Sequence, residues 1–70
     1  ANCPLSEQLA LLASYFASHA ELTTNEFVRL TGIRPTKARV ALAELVERGY
    51  LARMGRLSAT HYVRTEMPLE

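Results

Sequence analysis

The stretch TGIRPTKARVALAELVERGYL, residues 31–51, is the part of the sequence that says most about the fold of this chain. It holds a glycine, then a proline, then about four turns of helical pattern, and a second glycine before an apolar run. Gly32 can take the left-handed conformation that ends a helix, and Pro35 suits the first position of the next one. The stretch therefore predicts a tight turn at residues 32–35 between two helices.

The helix after Pro35 has an inward and an outward face. Ala38, Leu42 and Leu45 recur at the spacing of one buried stripe, with Val46 beside it, and Gly49 ends the pattern. The polar residues of the outward face are concentrated at its start, and small or apolar residues follow. These outward residues are Arg34 at the cap position, Thr36, Lys37, Arg39, Val40, Ala41 and Ala43.

Two further helices are predicted on the N-terminal side. A helix over residues 5–19 would bury a stripe that starts at Leu5 and ends at Phe16. Leu11 and Tyr15 widen this apolar face, so either a fuller core or a dimer or interdomain surface fits it. Thr23 followed by Glu26 reads as a capping box that starts a helix ending near residue 31. The pair at residues 21–22 is a strand stub.

The spacing of apolar residues changes from a helical to a strand-like pattern after the third helix. Residues 50–54 and 60–64 are strand candidates rich in β-branched and aromatic side chains, and residues 55–59 form the loop of a hairpin. We expect one domain over residues 1–67, followed by a disordered tail at residues 68–70 whose Leu69-Glu70 is a vector remnant. The predicted fold is mainly α with a small β-hairpin, in the order of a three-helix winged helix-turn-helix.

The charge is distributed unevenly. Residues 29–64 hold all eight basic residues and only two acidic ones, giving +6, whereas residues 1–28 carry three Glu and no basic residue. Such asymmetry favours a polyanionic partner for the basic part. In a winged helix the third helix enters the major groove of DNA and the hairpin lies on flanking phosphates. The predicted DNA-binding residues are Arg34, Thr36, Lys37, Arg39, Val40, Arg53, Arg56 and His61.

The sequence offers little for catalysis. His19 and His61 lie on different predicted elements, and Cys3 is the only cysteine, which excludes an internal disulfide. No glycine-rich phosphate loop, metal-ligand spacing or nucleophile motif is present, so we expect no enzyme activity, metal or cofactor in this chain. The single cysteine fits a cytoplasmic setting. No apolar run approaches the ~20 residues that span a bilayer, so no membrane partner is expected.

Three segments carry a resemblance to a known family. TTNEFVRLTGI, KARVALAELVERGYLARMGR and THYVR resemble the winged-helix module of bacterial regulators, most closely the C-terminal segment of RecG-related ATP-dependent DNA helicases and regulators. Fic-family proteins and regulators of the MarR and DeoR kinds have similar segments. The resemblance implies a chain that binds double-stranded DNA and belongs to a larger bacterial protein, whose remaining part carries any ATPase activity.

This chain departs from the family pattern at three places. Arg34 stands where serine is frequent, apolar residues occupy the later turns of the third helix, and Leu57-Ser58-Ala59 replaces a glycine-rich hairpin tip. A chain with these departures is expected to bind DNA mainly through phosphates rather than through contacts to many bases. They also keep open an alternative, in which the module serves dimerisation through the first helix or docking within the parent protein.

Overall fold

The computed structural model describes residues 3–69, apart from the side chain of Ser58. Three helices precede a two-stranded antiparallel hairpin, which confirms the predicted class, mainly α with a small β-hairpin. The order of elements is compatible with a helix-turn-helix. The helices are α1 (Leu5–Phe16), α2 (Thr24–Thr31) and α3 (Pro35–Glu47), and the strands are β1 (Leu51–Met54) and β2 (His61–Arg64).

The turn between α2 and α3 forms as the sequence predicts. Gly32 has a φ of 76° and ends α2, and its N–H donates to the carbonyl of Val28. Pro35 starts α3, and Arg34 takes the cap position without a side-chain hydrogen bond to the helix. Ile33 points into the core, with 6% of its surface exposed. This buried residue ties the turn to the core and fixes how α3 lies against α2.

Helix α1 is shorter than predicted. It ends at Phe16 rather than at residue 19, because the next N–H groups turn back to acceptors three residues earlier. The Nδ1–H of His19 also donates to the carbonyl of Tyr15 at 3.0 Å. This side-chain bond satisfies a carbonyl at the end of the helix. Of the residues that widen the apolar face, Tyr15 packs against the buried core and Leu11 is half-buried.

Helix α2 begins with the predicted cap. The N–H of Glu26 donates to the hydroxyl oxygen of Thr23 at 3.2 Å. The strand stub before it forms an isolated bridge, in which the main-chain N–H groups of Leu22 and Tyr62 each donate to the other residue's carbonyl. Leu22 thereby ties the start of α2 to the second strand of the hairpin.

The core lies between the three helices and one face of the hairpin. In the hairpin Arg53 pairs with Tyr62 and Met54 with His61, so Tyr62 faces the core and His61 faces away. The two strands are bridged by a 3₁₀ turn at Leu57–Ala59. The buried hydrophobic residues are Leu12, Leu22, Phe27, Ile33, Ala38, Leu42, Leu45, Leu51, Tyr62 and Leu69.

The burial of Leu69 corrects the treatment of residues 68–70 as a disordered tail. Only 1% of the Leu69 side chain is exposed, and it belongs to the core. Thr65 directs the chain back, since its hydroxyl donates to the carbonyl of Gly49 at 2.6 Å and accepts from the N–H of Met67 at 3.1 Å. Glu70 lies outside the described residues. Within residues 3–69, no helix is long and apolar enough to cross a membrane.

Candidate nucleic-acid interface

The outward surface of α3 has two flanks. Successive residues of a helix are rotated by about 100°, so Arg39 and Ala43 lie on one side of the exposed ridge and Lys37 and Glu44 on the other. Thr36 and Val40 occupy the ridge itself, and both are exposed. The first flank faces the hairpin and the second faces the N-terminal part of the chain. Each flank borders a different groove.

The α3–hairpin groove lies between α3, the start of α2 and the hairpin, with a volume of about 570 Å³. Arg39 reaches it from α3 and Arg53 from β1, so two guanidinium groups far apart in sequence meet at one groove. No carboxylate side chain lines it among the described residues. Its lining residues are Thr23, Thr24, Asn25, Arg39, Ala43, Arg53, Leu57, Thr60 and Tyr62.

The start of α2 adds to the positive character of this groove. Thr24 and Asn25 are the first two residues of the helix, where N–H groups have no acceptor within the helix. The helix dipole places partial positive charge at the same end. Two guanidinium groups, hydroxyl groups and a helix N-terminus are the donors that bind phosphate oxygens in proteins. The groove therefore has the chemistry of a phosphate-binding surface.

The structure brings together only some of the predicted site residues. Arg39 and Arg53 share the α3–hairpin groove, whereas Lys37 and Val40 line a second groove on the other flank. The remaining predicted residues, Arg34, Thr36, Arg56 and His61, are among the lining residues of neither groove. Arg34 and Thr36 are exposed at the start of α3, and Arg56 is exposed just before the hairpin tip.

His61 has partners that hold it away from the α3–hairpin groove. Its Nδ1–H donates to the carbonyl of Ala59 at 3.0 Å, and its Nε2 lies 3.4 Å from a carboxylate oxygen of Glu21. It projects from the face of the hairpin opposite Tyr62. The carboxylate of Glu21 therefore lies beside the His61 ring, and neither residue lines the α3–hairpin groove.

The α1–α3 groove is the second candidate surface, with a volume of about 400 Å³. Val40 is the largest exposed apolar side chain beside it, with 67% of its surface accessible. Lys37 and Glu44 place opposite charges on its rim. The lining residues are Cys3, Gln8, Ile33, Lys37, Val40, Ala41 and Glu44. This mixed composition suits a protein side chain better than a phosphate.

Cys3 borders the α1–α3 groove as a free thiol. Burial raises the pKa of this thiol above its ordinary value, and the negative charge of Glu7 raises it further. A raised pKa keeps the sulfur protonated at neutral pH, and the thiol is a much weaker nucleophile than the thiolate. Gln8 is 9% exposed and donates from its amide to the carbonyl of Cys3 at 2.7 Å. This bond anchors the chain before α1.

Residues 3–69 contain no group of three or more His, Cys, Asp and Glu side chains arranged to hold a metal ion. Comparisons of the chain with protein-family models, with curated proteins and with solved structures gave no match.

Sequence reasoning missed the contribution of α2 to the α3–hairpin groove. Thr24, Asn25 and Thr60 line it, yet none was among the predicted site residues. The capping box at Thr23 marked the start of α2 and so indicated where N–H groups lack acceptors. The sequence pattern did not indicate how α2 is placed against the hairpin. That placement depends on the bridge between Leu22 and Tyr62.

Proposed function

We propose that this chain binds double-stranded DNA as a winged-helix module, with α3 in the major groove and the hairpin on flanking phosphates. The observation that carries the proposal is the α3–hairpin groove, where Arg39, Arg53 and the N-terminus of α2 converge without a lining carboxylate. Contacts to phosphates position a protein on the duplex and supply most of its non-specific affinity. The hydrogen-bond donors of this groove therefore favour binding through contacts to phosphates.

The start of α3 extends the same surface. Arg34 makes no cap bond to its own helix, and its exposed guanidinium is available to a phosphate beside the N–H groups of the first turn. Thr36 can bond to a phosphate or a base edge, and a guanidinium such as that of Arg39 can bind either a phosphate or guanine with two hydrogen bonds. Beyond Arg39 the outward ridge carries Val40, so base contacts are confined to the beginning of the helix.

A titration of the ¹⁵N-labelled chain with a mixed-sequence duplex at low salt tests the proposal. We expect the amide signals of residues 34, 36–40 and 53–61, together with Thr24 and Asn25, to shift. The variant R39E/R53E should lose most of this response because it reverses both guanidinium charges of the groove. The matched variant R48E/R64E reverses two exposed arginines outside the groove and should retain binding within about tenfold.

Two results would contradict the proposal. If the amides at the groove do not move with excess duplex at low salt, the surface does not bind DNA. If R39E/R53E and R48E/R64E weaken binding equally, the affinity follows net charge and the groove has no special part in it. Thermal unfolding of both variants checks that each remains folded.

The sequence resemblance supports a context for this activity. We propose that the chain is a non-catalytic module of a larger bacterial protein of the cytoplasm, related to RecG-type ATP-dependent helicases or to a transcription regulator. In such a protein the module would hold DNA near a catalytic or regulatory domain. The resemblance of residues 23–33, 37–56 and 60–64 to winged-helix segments is what supports this assignment.

A protein-interaction module is the second candidate, and the exposed Val40 favours it. The α1–α3 groove places Val40 and Ala41 between Lys37 and Glu44, which suits docking to the parent protein or dimerisation near the first helix. Sedimentation tests it, because Val40→Lys should reduce self-association or docking while leaving the α3–hairpin groove intact. A wild-type chain that stays monomeric at high concentration and binds no other part of the parent protein would exclude this candidate.

A further inference from the structure

Leu57 is an exposed apolar residue in a conformation that leucine rarely adopts. It has a φ of 55°, in the left-handed region, where its Cβ crowds the following carbonyl. Among the large hydrophobic residues of the described chain it is also the most exposed, at 89%. A bulky side chain in this backbone region is uncommon and clusters at functional sites. Neither burial in the core nor backbone preference accounts for leucine here.

The hairpin tip holds Leu57 by a set of short-range contacts. The carbonyl of Leu57 accepts from both the N–H and the hydroxyl of Thr60, at 3.2 and 2.9 Å. The N–H of Ala59 donates to the carbonyl of Arg56 at 3.0 Å. Gly55 closes the turn so tightly that a Cβ there would meet the carbonyl of Ala59. The backbone of the tip is thus bonded on both sides of Leu57, and its side chain projects from this turn.

The position of Leu57 relates it to the proposed DNA surface. It lines the α3–hairpin groove together with Arg39 and Arg53, and Arg56 precedes it in the chain. Leu57 therefore places an exposed apolar side chain directly beside the cations of this groove. The apolar surface of a duplex beside its phosphates lies on the sugars and between the base pairs. Proteins that bind the minor groove insert leucine and similar residues between base steps there.

We propose that Leu57 is an apolar wedge that enters the minor groove and partly unstacks one base step while Arg39 and Arg53 hold the adjacent phosphates. The inference rests on the proposed DNA binding and specifies how the hairpin tip contributes to it. Pyrimidine–purine steps such as TA unstack most easily, so the wedge would favour them. The site would give the module a preference for deformable DNA without hydrogen bonds to base edges.

The test uses a chain with ¹³C-labelled methyl groups and a duplex that contains one TA step with 2-aminopurine next to it. On binding, the Leu57 methyl signals should move upfield under the ring currents of the bases, and the fluorescence of 2-aminopurine should rise. The methyl signal of Met67, which lies near Gly49 rather than near the groove, should stay in place.

Leu57→Asn provides the matched variant. Asparagine tolerates the left-handed conformation, so L57N should fold at least as well as the wild type. Because phosphates supply most of the affinity, L57N should bind the duplex within about tenfold of the wild type. It should nevertheless lose the rise in 2-aminopurine fluorescence, and Leu57→Met should keep it.

The outcomes separate this inference from the function on which it rests. If the amide signals of Arg39 and Arg53 shift while the Leu57 methyl signals and the fluorescence stay constant, the proposal that Leu57 is a wedge is wrong. The proposal of DNA binding is then still supported. If no amide shifts, both fail. If DNA leaves the Leu57 methyl signals unmoved and L57N abolishes self-association in sedimentation, Leu57 is a protein contact and the wedge is overturned.

Discussion

At the scale of single residues, the glycines show how closely backbone segments approach one another. Gly32 and Gly55 have nearly equal φ values, 76° and 75°, yet their surroundings differ. A Cβ added to Gly32 would meet no atom within 4 Å, whereas one added to Gly55 would clash with the carbonyl oxygen of Ala59. The positive φ favours glycine at both positions. At Gly55 the nearby backbone of Ala59 also leaves no room for a side chain.

This pair yields a stability prediction. Gly32→Ala should cost about 1–2 kcal/mol, which is the strain of a Cβ in the left-handed region. Gly55→Ala should cost more, because the carbonyl of Ala59 belongs to the backbone and must move with the hairpin tip. Urea unfolding of both variants measures the difference in free energy. Equal losses would mean that the tip adjusts freely around Gly55.

At the scale of elements, α3 has one face buried in the core and an opposite face exposed to solvent. Ala38, Leu42 and Leu45 are fully buried, while Arg39 and Val40 on the opposite side are exposed. The helix has no side-chain cap at Arg34, so little of its stability comes from its N-terminus. Short helices depend mainly on the packing of an apolar face. Its inward stripe therefore holds in place the residues that border both grooves.

Leu42→Ala tests this division. The Leu42 side chain is 0% exposed, and its truncation should cost about 2–5 kcal/mol, a large share of the stability of so small a domain. Val40→Ala is the control on the same helix: Val40 is 67% exposed, and its change should stay within about 0.5 kcal/mol. Chemical denaturation measures both. A mild effect of Leu42→Ala would show that the inward stripe is misplaced.

At the scale of the whole molecule, the fold brings basic residues together although the net charge of the chain is small. The chain carries +1 overall, but its eight basic residues all lie in residues 29–64. The fold places two of them, Arg39 and Arg53, at one groove and pairs another, Arg48, with Glu44 at 3.1 Å. The latter pair is about half exposed, and such surface pairs add little stability. The positions of the basic residues rather than the total charge therefore determine where positive charge is concentrated on the surface.

Salt dependence tests whether the α3–hairpin groove binds phosphates, and how many. The logarithm of the affinity for a duplex should fall linearly with the logarithm of the salt concentration. If Arg39 and Arg53 each neutralise one phosphate, R39A/R53A should reduce the magnitude of this slope by about 2. R48A/R64A should leave the slope unchanged within error. An unchanged slope in R39A/R53A would place the phosphate contacts elsewhere on the molecule.

The elements and their order could be predicted from local sequence signals alone. Gly32, Pro35 and the capping residue Thr23 are local signals, and local signals need no knowledge of distant parts of the chain. The periodic stripe of α3 likewise identified Ala38, Leu42 and Leu45 as core, since burial on one helix face repeats every three or four residues. Arg39 and Arg53 were each predicted to bind DNA, but nothing in the sequence joined them.

Which elements and side chains lie next to each other became known only from the three-dimensional structure. The bridge between Leu22 and Tyr62 sets the start of α2 against the hairpin, so that Thr24 and Asn25 meet Arg39 and Arg53 at one groove. Leu69 lies in the core because Thr65 turns the chain back, although a terminal Pro-Leu pair carries no periodic signal. Contacts between residues far apart in the chain depend on the packing angles of whole elements, and a periodic pattern specifies a face without specifying the partner that covers it.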